Sequence, residues 1–289
     1  MTPLRLRVDV CTYRALRDGV PGVLEVLRRH RVRATFFVAF GPDSSGRAIL
    51  KMLRPSFAAK MFRTNAAGTY GWATAFYGTL LPSPLIGAGL PDLVRRIRDE
   101  GHEVGLHGWN HRRWQDRLRK YGKDELRSEF DRMVGAYREA LGAAPLAFAA
   151  PAWTVTTDLL GLEGDYGLRY SSDCRGHAPF RPMLEGREFA LPQLPVSLPT
   201  LDEHLGGACT TGFADEILRL SAGQPDYSCL TAHAEMEGRA YAGDLDRILG
   251  GLDRPVGPLG ETPLVDLPRA EIRPGRVPGR TSEVFLQKA

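Results

Sequence analysis

The sequence predicts an α/β barrel built on a parallel sheet, and three observations predict it. Segments with strand patterning alternate with segments of helical period along most of the chain. The 289 residues, 43% hydrophobic and 25% charged, can bury one large core or two smaller ones. Residues able to do chemistry fall at the C-terminal ends of the predicted strands, where barrel active sites lie.

The elements follow in order. Leu4, Leu6, Val8 and Val10 alternate with Arg5, Arg7, Asp9 and Cys11, so a first strand carries Asp9 and Cys11 on one face near its end. Val20, Val23, Leu24 and Leu27 give a helical stripe, and Ala34 to Phe40 reads as a buried strand. A helix starts at Pro91, with Leu93, Val94 and Ile97 on one face and Gly101 as its cap. Glu103 to Trp109 reads as a strand entering a loop. Asp124 to Leu141 is the best helix: Leu126, Phe130, Met133, Val134, Tyr137 and Leu141 form its stripe and Gly142 closes it. Further strands are expected at Leu146–Ala150, Leu168–Ser172, Gln193–Leu198, Cys229–His233 and Pro263–Leu267, with helices around Ala214–Leu220 and Asp244–Leu249. The barrel is expected over residues 1–272, and the Pro, Gly and Arg-rich tail 273–289 is expected to be irregular.

One segment breaks the alternation. Ser44 to Pro91 holds no acid but has Arg47, Lys51, Arg54, Lys60 and Arg63, interleaved with Phe57, Phe62, Tyr70, Trp72, Phe76 and Tyr77. It is too long for an ordinary loop and reads as an inserted helical subdomain, residues 42–90. Bases and aromatics without acids suit a membrane interface or a lipid phosphate; aromatics packed as core are the plainer reading. The net charge of +4 is too small to argue a nucleic-acid partner. No signal peptide or membrane-spanning run is evident, and Cys11, Cys174, Cys209 and Cys229 show no disulfide or zinc-finger spacing. A cytoplasmic protein is expected.

The chemistry concentrates at three strand ends. His107 and His111 stand four apart, which puts both imidazoles on one side of a helical or extended backbone. Two such histidines are half of a metal site, although the spacing alone is also common at surfaces. Asp9 and Cys11 end the first strand, where Asp9 otherwise suits a cap or a salt bridge to a neighbouring arginine. His233 ends Cys229-Leu230-Thr231-Ala232-His233. Together they form a metal-hydrolase constellation.

These pieces, in this order, resemble the polysaccharide deacetylase superfamily, carbohydrate esterase family 4, whose fold is a distorted (β/α)7 barrel. Within it the chain is most similar to deformylases acting on undecaprenyl-phosphate-linked 4-deoxy-4-formamido-L-arabinose. Leu6-Arg7-Val8-Asp9-Val10, Tyr70-Gly71-Trp72, Glu103-Val104-Gly105-Leu106-His107, Ser172-Asp173-Cys174-Arg175-Gly176, Pro179-Phe180-Arg181-Pro182 and His233-Ala234-Glu235 carry this resemblance.

The resemblance implies a divalent metal held by Cys11, His107 and His111, with Asp9 as general base and His233 as general acid. Arg175 and Arg181 are candidates for sugar or phosphate recognition, because a guanidinium fork matches phosphate oxygens, with internal salt bridging as the alternative. Asp173 is a further candidate substrate contact, and Trp153 suits either a wall of the sugar site or a place in the core. The resemblance further implies peripheral association with the inner membrane and an amino-sugar product used for lipid A modification and polymyxin resistance. Two departures stand out. Cys11 occupies the position of the superfamily's metal-binding aspartate, and Ala149 replaces the arginine of an Arg-x-Pro-x-Trp motif whose Pro151 and Trp153 remain. A thiolate at position 11 favours zinc. A weakened site, and hence a lipid-linked-sugar binder without turnover, is the alternative reading of Cys11. An N-deacetylase of another glycan is the alternative substrate reading.

Overall fold

A computed structural model describes residues 2–47, 76–207, 211–224 and 226–288. Lys51, Arg54, Phe57, Lys60, Phe62, Arg63, Tyr70, Trp72 and Cys209 lie outside the described residues.

The first strand, β1 (Leu4–Val10), is buried on both faces. Its apolar row Leu4, Leu6, Val8 and Val10 packs with residues of the surrounding helices in the main core. Its polar row points into the barrel, where Arg5 donates to the carbonyls of Pro258 and Glu261. β2 (Thr35–Val38) repeats the division: Phe36 and Val38 join the outer core, whereas Phe37 joins an inner cluster with Ala147, Ala149, Trp153, Tyr170 and Cys229. The two-residue period of an extended chain thus builds two cores from one set of strands.

The remaining sheet strands are β3 (Glu103–Leu106), β4 (Ala147–Phe148), β5 (Tyr170–Ser171), β8 (Ser228–His233) and β9 (Val256–Gly257). Their order is β5-β4-β3-β2-β1-β8, all parallel, with β9 also pairing with β1. Residues 193–198 bridge the two edges: Leu194 N–H donates to Ser171 O and Leu198 N–H to Cys229 O. The sheet therefore curls into the expected seven-stave barrel, with irregular backbone as its seventh stave.

Helices α1 (Val20–His30), α2 (Pro91–Asp99), α4 (Lys123–Leu141), α7 (Phe213–Ala222) and α9 (Ala242–Gly251) match the predicted stripes. Gly101 and Gly142 have positive φ, as predicted for helix-ending glycines. Shorter helices α3 (His111–Arg117), α5 (Thr157–Glu163), α6 (Leu201–Gly206) and α8 (Ala234–Glu237) are additions to the predicted set.

Three expectations are corrected. Gln193–Leu198 forms no regular strand: it is the irregular seventh stave, held by isolated bridges at Gln193 and Val196. Pro263–Leu267 is not a strand; two prolines near its ends remove donors that a ladder would use, and Val256–Gly257 pairs with β1 instead. The tail is not wholly irregular. β10 (Arg269–Gly275) and β11 (Val284–Gln287) join β6 (Arg181–Leu184) and β7 (Arg187–Glu188) in a second sheet of order β11-β10-β6-β7. Arg175 N–H to Phe285 O, and Gln287 N–H to Arg175 O, tie this sheet to the barrel.

The insertion leaves from the end of β2 and returns to α2. Its two roots are stitched together by Asp43 N–H to Pro84 O and Ile86 N–H to Gly41 O. At Gly41 a Cβ would lie 2.4 Å from Trp109 O, so only glycine permits this approach beside the His107–His111 segment.

Candidate active site

Register brings the chemistry together. Asp9 is the direct partner of His233 across β1 and β8, and Val38 pairs with Leu106, one residue before His107. The C-terminal ends of β3, β1 and β8 therefore open on one mouth, with β2 between the first two.

His107 and His111 meet neither as helix nor as strand neighbours. Gly108 turns with φ +81°, and Asn110 caps α3 by accepting Arg113 N–H, which sets His111 as the first helical residue. The rings stand 4.9 Å apart. A donor atom from each of Cys11, His107 and His111 lies within 4.8 Å of the others. His107 Nδ1 donates to Ala149 O at 2.8 Å, so its Nε2 lone pair faces the cluster. Burial holds His107 down to about 4 against the pull of Asp9, and burial with His107 beside it keeps His111 well below the usual range. Both imidazoles are neutral at pH 7 and so able to act as ligands. Burial, together with Glu235 and Asp9 nearby, raises the Cys11 thiol. Two neutral imidazoles and a thiol among carboxylates suit a divalent cation, which would draw the sulfur to its thiolate form.

Asp9 is fully engaged with Arg7. Nε donates to Oδ1 at 2.6 Å and Nη2 to Oδ2 at 2.7 Å, while Nη1 reaches Ser172 O and Oγ. Burial alone would raise the Asp9 carboxyl, but Arg7, His107 and His233 hold it well below the ordinary range. Oδ2 lies 3.6 Å from His107 Nε2, beside the place where the ligand atoms converge. His233 has the opposite bias: burial opposes its charge, yet Asp202, Asp9, Glu235 and Glu237 raise its pKa. Asp202 Oδ1 stands 4.0 Å from His233 Nδ1. The site pairs an ionised carboxylate with a histidine biased toward its proton-bearing form.

The four expected substrate residues divide. Trp153 is buried at the barrel wall, with Arg280, Arg175 and Arg7 over its ring at 4.5, 5.2 and 5.6 Å. Asp173 is sealed inside, accepting Ala150 N–H and Gln193 Nε2–H, so it supports the Ala150–Trp153 turn. Arg175 is spent internally on Glu203 and on the carbonyls of Val196 and Leu198. Arg181 lies apart, on a surface hollow of the second sheet with Glu188 and Arg269, and donates to Ala190 O.

Sequence reasoning missed Asp202 and Arg280, and it held the salt bridge of Asp9 to a neighbouring arginine as an alternative to a catalytic role, whereas Arg7 makes that bridge within the site. Arg7 had a signal: it shares the inward row with Asp9 and Cys11. Asp202 and Arg280 reach the site through tertiary folding alone.

The curled parallel barrel is the fold of the polysaccharide deacetylases, and the chain belongs to that family, whose model matches residues 6–171. It is 41% identical over 82% of its length, and 77% of the relative's, to the probable 4-deoxy-4-formamido-L-arabinose-phosphoundecaprenol deformylase ArnD of Shewanella sediminis (strain HAW-EB3). It is 31% identical over 80% of its length, and 81% of the relative's, to the protein of the same name from Wigglesworthia glossinidia brevipalpis. Among solved structures, the family 4 carbohydrate esterase from Streptomyces lividans in complex with acetate shares the fold. It has a TM-score of 0.52 and 14% identity, covering 99% of this chain and 98% of that one.

Proposed function

We propose that this protein is a zinc-dependent deformylase that hydrolyses the formamide of undecaprenyl-phosphate-linked 4-deoxy-4-formamido-L-arabinose. The products are formate and the 4-amino sugar. The observation that carries the reading is the Cys11–His107–His111 cluster beside an Asp9 carboxylate clamped by Arg7. The names of the two relatives supply the substrate.

Cys11, His107 and His111 would hold the ion. When bound, zinc supplies Lewis acidity toward the formyl oxygen and lowers the pKa of water. Asp9 takes the proton of the attacking water; Arg7 uses one acceptor site on each carboxylate oxygen, which leaves others for this purpose. As the C–N bond breaks, His233 gives its proton to the departing nitrogen, which leaves as the free amine. A sulfur donor with two imidazoles favours zinc over magnesium or manganese.

The protein is proposed to work at the inner surface of the cytoplasmic membrane, where its lipid-linked substrate resides, feeding lipid A modification and polymyxin resistance. The bases and aromatics of the insertion support this, as do Leu80, Leu81 and Leu85, which are exposed beside its stitched root. Among the described residues no helix is long and apolar enough to cross a membrane.

Cys11 favours one competing reading, a binder without turnover. Elemental analysis and formate release on one preparation decide between them. The expected result is about one zinc per chain, formate from the formamido sugar and no acetate from its acetamido counterpart, with zinc and activity both lost in Cys11→Ala. A metal-free protein that binds the lipid-linked sugar without releasing formate would establish the binder. Higher metal affinity and turnover in Cys11→Asp would mark Cys11 as a weakened site.

A further inference from the structure

The C-terminal tail returns to the mouth of the barrel and is seated there backbone to backbone. Gly279 has φ +78°, and a Cβ on it would stand 1.8 Å from Glu203 O; one on Gly206 would stand 2.1 Å from Gly279 O. Only glycines fit this seat, and it fixes the residue that follows.

That residue, Arg280, lies nearest of the three guanidinium groups over Trp153, at 4.5 Å from the ring centroid. The other two are committed elsewhere: Arg7 to Asp9 and Ser172, Arg175 to Glu203 and two carbonyls. Arg280 makes one side-chain hydrogen bond among the described residues, at 3.3 Å to Glu203 Oε1, with Asp202 Oδ2 at 3.5 Å. Glu203 already takes Arg175 at 2.9 Å on both oxygens. Four of the five guanidinium N–H groups are thus left without a hydrogen bond among the described residues. The Arg280 side chain keeps 13% of its surface open, against 1% for Arg7 and 9% for Arg175. Through its other oxygen, Asp202 faces His233, so a single carboxylate separates Arg280 from that imidazole.

We propose that Arg280 receives the phosphodiester of the lipid-linked sugar, braced on Trp153, and makes the site specific for a glycosyl phosphate over an uncharged glycan. The proposal rests on the deformylase reading. In the substrate the 4-nitrogen and the anomeric phosphate stand on opposite sides of one pyranose ring. His233 and Arg280 stand on opposite sides of one carboxylate, so a ring attended by His233 at nitrogen presents its phosphate toward Arg280.

The test compares two substrates, a short-chain prenyl phosphodiester of the 4-formamido sugar and its phosphate-free methyl glycoside. Arg280→Ala should raise KM for the phosphodiester about 10–100-fold, the worth of a charge-assisted contact, and leave kcat nearly unchanged. Arg280→Lys should recover part of that loss, and kcat/KM for the methyl glycoside should stay at the parent value in both variants. Equal losses on the two substrates would make Arg280 a brace for His233 through Asp202 and overturn the proposal, as would no loss on either. Formate release from neither substrate by the parent protein would remove the deformylase reading itself.

Discussion

Arg7 and Asp9 show how a single residue type can mislead. A two-residue period places Arg7, Asp9 and Cys11 on one face, but it cannot tell a charge facing solvent from one facing a barrel lumen. Arg7 is buried and holds Asp9 through two short bonds, so removing it strands an ionised carboxylate. Arg7→Met should cost about 3–5 kcal/mol of stability, read from urea midpoints, and lower kcat by more than 100-fold. Adding Asp9→Asn should restore much of the stability and none of the turnover. The same scale governs the acid. Asp202 helps to raise the His233 pKa, and turnover needs the proton-bearing form, which is lost as pH rises through that pKa. Asp202→Asn should therefore move the basic limb of the kcat profile to lower pH; a limb that stays in place would remove Asp202 from this role. Asp9, Cys11, His107, His111 and His233 were legible because strand ends gather residues far apart in sequence. Arg175 and Arg181 were chosen by residue type, and type cannot reveal that one guanidinium is consumed by Glu203 while the other lies on a separate sheet.

At the scale of elements, the helices were legible because a 3.6-residue apolar stripe is a local property, and α4 begins within a residue of its expected start. The second sheet was not, because the one pairing that unites its two antiparallel hairpins, β6 with β10, joins residues about ninety positions apart and depends on contacts that no local pattern encodes. Between α5 and β5 lies a buried acid pair with a measurable consequence. Asp173 is raised to about 6, chiefly by burial, and burial beside it raises Glu163 well above its ordinary range. The folded state therefore keeps protons that the unfolded chain releases. The contribution of this pair to stability should be full below pH 4 and fall as pH climbs from 4 to 6, by on the order of 3 kcal/mol for Asp173. Glu163→Gln removes the second buried group that must give up its proton as pH rises, so the urea midpoint should rise at pH 8 and stay put at pH 4. A midpoint lowered equally at both would mean that Ser171 needs the Glu163 carboxylate more than Asp173 is troubled by it.

For the whole molecule, the barrel class follows from alternation and length, whereas closure through the irregular 193–198 stave is a tertiary fact. The described roots of the insertion leave the rim between the strands that lead to Cys11 and His107, so a basic-aromatic surface there would hold the mouth toward anionic lipid. Sedimentation with anionic vesicles should be strong at low ionic strength, weaken as salt approaches 0.5 M, and be lost on deleting residues 51–77. Equal sedimentation with neutral vesicles would rule out electrostatic docking. β1 carries one last consequence. Its lumen-facing row and its oil-facing row are interleaved residue by residue, so a slip of one position would thrust Asp9 into grease and Leu6 into the reaction chamber. A strand misaligned by an odd number of positions therefore cannot persist as an inert but well-packed decoy.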